Sequence, residues 1–409
     1  MEIISRRCAG LDVHSRSVAV SRRILDEHGE FCEEVRTFGT TTRALLEMSD
    51  WLSGSGVTVV AMESTGVYWK PIWNVLEGRF EIVLVNAKHI KHVPGRKTDV
   101  KDCQWIAQLL QHGLLRTSFV PPEPIRELRD LTRHRTRLVE EKTSAANRIH
   151  KILEDANVKL GSVASDILGE SGRAMLHAII EGETDPSRLA GLARGRMKSK
   201  NAELREALYG RIRDHHRFML RTSMEHLVFL EGQIARLSER IEELTIPFAE
   251  AVRVLVTIPG VQRRTAEAVL AETGGDMRVF PSANHLASWT GICPGNNESG
   301  GKRRTGTIPK GNVWLRRAMT EAAWAASRTK GTYLAARYRR LAARRGAKRA
   351  LIAIAHRILT TAYYLIQRGQ TYNDLGADYF DRLDPQALTR SLVRRLERLG
   401  HVVKLEAAA

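Results

Sequence analysis

RCAGLDVHSRSVAVSRRIL, residues 7–25, decides how the first third of the chain folds. Apolar residues alternate with others through Arg7–Val13 and again through Ser17–Ile24, the period-two pattern of strands with one buried face. Phe31–Phe38 continues the rhythm as a third strand, and short turns join the three into an antiparallel meander. Downstream, two short runs, Val57–Met62 and Phe80–Val85, alternate with helical patterns near 41–53, 67–77 and 98–112. Three strands followed by α-β-α-β-α make a mixed sheet with helices on its faces. Pro121, Pro122 and Pro124 then break the pattern and close an α/β domain over 1–120.

That order is the one of a ribonuclease-H-like sheet. Beyond the prolines the sequence turns helical. Leu128, Leu131, Leu138, Ala145, Ile149 and Ile152 recur at three-four spacing, diluted by Arg135 and Lys142. Leu227, Leu230, Ile234, Leu237, Ile241 and Leu244 step by 3, 4, 3, 4, 3, the heptad signature of a coiled-coil seam. A helical coiled-coil domain is expected over 121–250, around a polar stretch at roughly 155–215 that periodicity does not resolve. Heptads do not decide whether the long helices pair with each other or with those of another subunit. A mainly helical domain is expected over 251–370. Its first segment, LVTIPGVQRRTAEAVLAET at 255–273, reads as helix, tight turn, helix. It suits a helix-hairpin-helix element, whose helix-start amides can hold a phosphate, and equally a plain αα-hairpin with a glycine cap. Gln262 stands where a second glycine would let a backbone approach closest. Residues 371–409 read as a helical tail.

Charge narrows the partners. Lys302 to Arg357 holds sixteen Lys and Arg against the single acid Glu321, which is +15 of the chain's net +18. Such a stripe is a polyanion surface, and phosphate backbones are its usual partner. Lys302, Arg303, Arg304, Lys310, Arg316 and Arg317 are its candidate contacts. At 43% hydrophobic and 27% charged, the chain is neither disordered nor fibrous. It has no run of the ~18 apolar residues a membrane span needs and no signal-peptide pattern, so a cytoplasmic protein without membrane partners is expected. Cys8, Cys32, Cys103 and Cys293 are too scattered for a disulfide framework or a paired-cysteine zinc site.

Acids stand at the ends of elements in the first domain. Asp12 lies near the end of the first strand, Glu63 directly follows Val57–Met62, and Asp99 and Asp102 sit three apart at a helix start. Taken singly, each has a plain explanation as a turn former, a solvated strand end or a complement to the helix dipole. Together they offer the hard oxygen ligands that Mg2+ or Mn2+ wants for phosphoryl transfer. Sugar kinases share a Gly-x-Asp first strand, but they follow it with Gly-Thr, whereas Val13-His-Ser-Arg16 follows here. His14, two residues from Asp12, reads as a phosphate or metal neighbour or as a structural histidine. In the third domain Ser299 precedes two glycines and three cations, a setting that suits a nucleophile attacking a phosphodiester, or a flexible polar loop.

Seven motifs follow one another along the chain: GLDVH (10–14), MESTGVYW (62–69), KTDVKD (97–102), IPGV (258–261), LASWTGICPG (286–295), SGGK (299–302) and KGNVWLRR (310–317). The ordered set resembles the DEDD transposases of the insertion-sequence 110 family, RNA-guided serine recombinases built from RuvC-like, coiled-coil and transposase domains. The resemblance implies that Asp12, Glu63, Asp99 and Asp102 hold the metal and that Ser299 is the nucleophile, with Ser288 as the second candidate. It further implies donor and target double-stranded DNA, a structured non-coding guide (bridge) RNA, a prokaryotic nucleoid setting, and a homo-oligomer, dimer or tetramer, in which one subunit's acids meet another's serine. A resolvase-like metal nuclease and a non-catalytic nucleic-acid-binding protein are the competing expectations.

Overall fold

The computed structural model describes residues 3–26, 29–86, 102–294, 297–300, 302–305 and 308–406, with the backbone alone at 297–299 and 302–305. Two compact units, Met1–Val120 and Pro121–Ala409, make up the chain.

The first unit is a five-stranded mixed sheet. Strands β1 (Arg7–Val13), β2 (Ser17–Leu25), β3 (Phe31–Gly39), β4 (Val59–Glu63) and β5 (Glu81–Val85) lie in the order β3-β2-β1-β4-β5. The meander is antiparallel, and β4 and β5 add parallel to β1. Alternation sorts the side chains cleanly. Ala9, Leu11, Val60 and Met62 face a core covered by helices α1 (Thr42–Gly54) and α2 (Trp69–Leu76). Cys8, Val59, Ala61, Val83 and Val85 face the other side, under Ile106, Leu109 and Leu110 of α3 (Asp102–Gln111).

Gly10 sets how closely α3 lies on the sheet. A Cβ there would stand 2.3 Å from the Cys103 oxygen and 2.3 Å from the Ala107 nitrogen, so only glycine admits this contact. The Cys8 thiol, two residues back along β1, reaches the Ala107 oxygen at 3.7 Å. The helix therefore runs against β1, with its amino end toward Asp12.

The second unit begins with a pair of long helices, α4 (Glu123–Asp155) and, after a 156–213 insertion, α7 (Asp214–Thr245). They pair with each other, antiparallel. Ile125 and Leu128 pack with Ile241, Lys142 bonds Glu231 at 2.8 Å, and Asp155 bonds His216 at 2.8 Å. The heptad residues Leu227, Leu230, Ile234 and Ile241 are buried in this seam. The insertion folds into short helices, among them α5 (Glu170–Ile180) and α6 (Asn201–Leu208). Met175, Leu176, Leu204 and Leu208 join Ile149 and Leu220 in one core. Helices of such length show too few turns for a period to stand out.

Helices α8 (Ala249–Leu255), α9 (Arg263–Thr273), α10 (Ala283–Thr290), α11 (Val313–Arg328), α12 (Tyr333–Arg345), α13 (Ala347–Arg368) and α14 (Pro385–Arg398) are among the elements that follow. Between α8 and α9, Gly260 takes a left-handed φ of 87°, and a Cβ on it would meet the Ala322 oxygen of α11 at 2.3 Å. The space beside this glycine is thus filled by the backbone of α11. In the tail, Asp374 accepts the Tyr333 amide at 2.9 Å and Phe380 stacks on the Tyr333 ring, while α14 buries no residue. Among the described residues no helix is long and apolar enough to cross a membrane.

Candidate active site

The acids of the first unit are placed by the sheet ladder. Leu11 pairs with Met62 across the parallel strands β1 and β4, so Asp12 and Glu63 leave the carboxyl ends of neighbouring strands on the same face. This is the face covered by α3, whose amino end carries the exposed Asp102. Glu63 is half-buried and accepts the Thr65 hydroxyl at 3.3 Å. Asp12 is bonded at 3.1 Å by Nε2 of His14, an exposed ring on the hairpin turn. Asp99 lies outside the described residues, among which no group of three or more His, Cys, Asp or Glu side chains stands ready to hold a metal.

Burial pushes the Cys8 thiol up to about 11, and it stays a protonated donor beneath α3.

In the second unit Ser299 ends β6 (Asn297–Ser299) and pairs with Lys302, the first residue of β7 (Lys302–Thr305). It sits at the tip of a two-stranded hairpin whose turn begins at Gly300, φ 60°. Lys302, Arg303 and Arg304 follow on β7. Ser288 is exposed on α10, in the last turn before the capping glycine Gly291.

The base of this loop is a glycine pair. A Cβ on Gly291 would meet the Gly311 nitrogen at 2.8 Å, and one on Gly311 would meet the Gly291 nitrogen at 2.4 Å. The Asn312 amide donates to the Trp289 oxygen at 3.1 Å, which closes the ring. The LASWTGICPG and KGNVWLRR motifs are therefore the two halves of one clasp beneath the serine hairpin.

A buried ion network anchors the clasp. Asn312 caps α11 by accepting the Trp314 and Leu315 amides at 3.0 Å, and its Nδ2 donates to Glu272 at 2.6 Å. Glu272, 2% exposed, also receives both arms of Arg133 at 2.7 Å. Arg129 donates to the Ala271 and Glu272 carbonyls at the end of α9, and burial lowers it to about 10 against the pull of Glu272. Beside it, buried Arg135 pairs with Glu267 at 2.7 Å. The sequence shows these only as polar residues interrupting a helical stripe. Arg129 and Arg133, four apart on α4, share one face, a spacing the sequence does show; Arg135, two residues on, does not share it.

Among the candidate nucleic-acid contacts, Lys310 is exposed and Arg316 reaches the Pro309 oxygen at 3.4 Å. Arg317 bonds Glu321 at 2.9 Å and also Glu140, and the Glu321 bond raises its affinity for its proton. The stripe continues beyond that set: Arg339, Arg340, Arg344, Arg345, Lys348 and Arg349 are all exposed.

Residues 9–158 match the family model for DEDD transposases of IS110, described as a transposase, and residues 252–339 match the model described as "Transposase IS116/IS110/IS902 family". The chain belongs to the IS110 family of transposases. This transposase is 27% identical, over 77% of its length and 85% of the relative's, to the "Probable family 20 transposase" of Pseudomonas aeruginosa. It is 26% identical, over 71% and 72%, to the transposase for insertion sequence element IS1111A of Coxiella burnetii. A shorter match, 37% identical over 29% of each chain, links it to an insertion element IS110 protein of Streptomyces coelicolor. The family fixes the enzyme class, a DNA transposase and recombinase of an insertion sequence.

Proposed function

We propose that the transposase cuts and rejoins DNA through Asp12, Glu63, Asp99 and Asp102 acting with Ser299. The observation that carries the reading is the shared exit of Asp12 and Glu63 from adjacent parallel strands, beneath a helix that Gly10 brings close and that starts at Asp102. Ligands in open α/β sheets bind at these carboxyl ends.

An all-carboxylate set suits a hard divalent ion such as Mg2+ or Mn2+. Such an ion, when bound, would polarise the phosphate and stabilise charge on the oxygens around phosphorus. His14 holds Asp12 in one orientation. Thr65 does the same for Glu63.

Ser299 supplies the attacking oxygen. Its Oγ–P bond forms as a P–O bond to one DNA strand breaks, the hydroxyl proton passes to solvent, and the departing strand oxygen takes up a proton. Rejoining runs the exchange in reverse with a new strand's hydroxyl, so bond energy is conserved without a nucleotide cofactor. Lys302, Arg303, Arg304, Lys310, Arg316 and the exposed arginines of α12 neutralise the backbone. Residues 121–250 space copies of the chain within a dimer or tetramer, residues 251–370 present the serine, and a structured guide RNA supplies pairing to donor and target.

The test is a covalent trap. Denaturing the enzyme during cleavage of DNA in Mg2+ should release a peptide containing Ser299 with a nucleotide attached, absent from Ser299→Ala and from Asp12→Asn. Cleavage that survives Ser299→Ala but needs Asp12 is water attack by a nuclease. A chain whose DNA binding and cleavage ignore both changes is not acting through this site. RNA bound to the purified transposase should be one enriched transcript, and its absence removes the guide.

A further inference from the structure

At the carboxyl edge of the sheet, on the face covered by α1 and α2, lies a pocket of about 170 Å³. Its rim is His14, Ser15, Thr40, Val67, Tyr68 and Pro71. The floor is dry: Leu45 and Ile72 there are 2% and 0% exposed. Val67 and Tyr68, by contrast, leave 65% and 46% of their surface open, although side chains of this size are usually covered. The chain reaches them from Glu63 by a tight turn in which Gly66 adopts φ 55° and the Tyr68 amide donates to the Thr65 oxygen at 3.2 Å. Gly66 holds no closer neighbour than the Tyr68 ring, 3.8 Å from where its Cβ would stand.

We propose that this pocket takes one unpaired nucleobase of the DNA strand being cut, next to the phosphate that Asp12 and Glu63 handle. The assignment rests on that reading of the two acids. Tyr68 offers an aromatic face of the kind on which bases stack, Val67 an apolar edge, and Ser15 a hydroxyl for the base's polar rim. Thr40 donates to the Ser15 oxygen at 3.1 Å, which steadies that rim. The volume is below the ~300–1,000 Å³ of drug-sized pockets, so it holds one ring system and not a peptide segment. His14 fixes the distance to the chemistry, because the ring that lines the pocket also bonds Asp12 at 3.1 Å. His14, at the strand end, thus links the pocket on the α1–α2 face to Asp12 on the α3 face across the carboxyl edge of the sheet. Flipping the base out of the duplex would select against sites whose flanking base pair is costly to open.

The experiment uses the full-length transposase with its co-purified RNA and an element-end duplex. A single abasic nucleotide is walked across the positions flanking the cut, and 2-aminopurine is walked likewise for binding without Mg2+. At one position the abasic substitution should slow cleavage roughly tenfold, in the range that loss of one stacked base gives. Tyr68→Ala should cost the same on intact DNA, less than about twofold more on that abasic DNA, and Tyr68→Phe should restore the rate. At the same position 2-aminopurine should brighten on binding and change again in Tyr68→Ala. Independent losses, or an unaltered Tyr68→Ala together with 2-aminopurine that stays stacked everywhere, overturn the pocket. Asp12→Asn separates the two claims. If it spares cleavage, the reading of the acids falls while the fluorescence still judges the pocket; if it stops cleavage and Tyr68 is neutral in both assays, only the pocket falls.

Discussion

The sheet unit and the helical unit position their chemistry by opposite means. Asp12 and Glu63 are delivered by main-chain pairing, since the Leu11–Met62 register brings both to one edge, where His14 and Thr65 then orient the carboxylates. The serine hairpin is a pair of short strands in the segment between Gly291 and Gly311, and those two glycines meet in a clasp that Asn312 ties to buried Glu272 and Arg133. A functional residue at a strand end is therefore separable from stability. One above a buried ion network is not.

The largest effect should test the first half of that contrast. Asp12→Asn is expected to lower strand cleavage on the order of 10³-fold, the several kcal/mol that metal-assisted charge stabilisation supplies. Its urea midpoint should match the parent's, and a large shift would show that the acids also hold the sheet together.

Glu272→Ala probes the other half. It strands Arg133 and Arg129 without their carboxylate, and breaking a buried pair costs ~3–5 kcal/mol, readable as a lower midpoint at unchanged slope. Cleavage should fall with it, although Glu272 is far from any reacting atom in sequence. Replacing Arg135 and Glu267 together by Met and Leu should cost little, because both charges leave at once.

Gly311→Ala should cost about 1–3 kcal/mol from overpacking against Gly291. Gly10→Ala should cost a similar amount by lifting α3, and here the two units behave alike, since each motif glycine serves a close backbone approach.

Smaller effects sharpen the picture. Changing Arg344, Arg345 or Arg349 to Gln should reduce the slope of log affinity against log salt by ~0.9 for every phosphate that is no longer neutralised. Arg317→Gln should change it less, because Glu321 and Glu140 already occupy that guanidinium. With a thiol reagent in mildly alkaline buffer, exposed Cys32 should react at once. Cys8, pushed up to about 11 and covered by α3, should wait for unfolding.

Much of this was legible in the sequence, and the reasons differ by element. The meander and both parallel strands were readable because burial on one or two faces leaves a period of two or an unbroken apolar run, and β1 begins and ends where alternation does. The heptad in 227–244 showed a seam but not its partner, which α4 of the same chain provides. The 156–213 insertion was opaque because its helices are short and share one core with distant residues. Arg135 looked like dilution of an apolar stripe, and only the arrival of Glu267, 132 positions on, makes its burial intelligible.

By itself the sequence determined the strands of the first unit, the long heptad helix, the polyanion character of 302–357 and the ordered motifs that mark the family, because periodicity, turn residues and charge are local properties. Tertiary structure alone decided which glycine meets which backbone, which cation is buried, and that α3 turns its amino end toward the β1–β4 edge. Those facts depend on close approach between segments far apart in the chain, and no local pattern carries the identity of a partner.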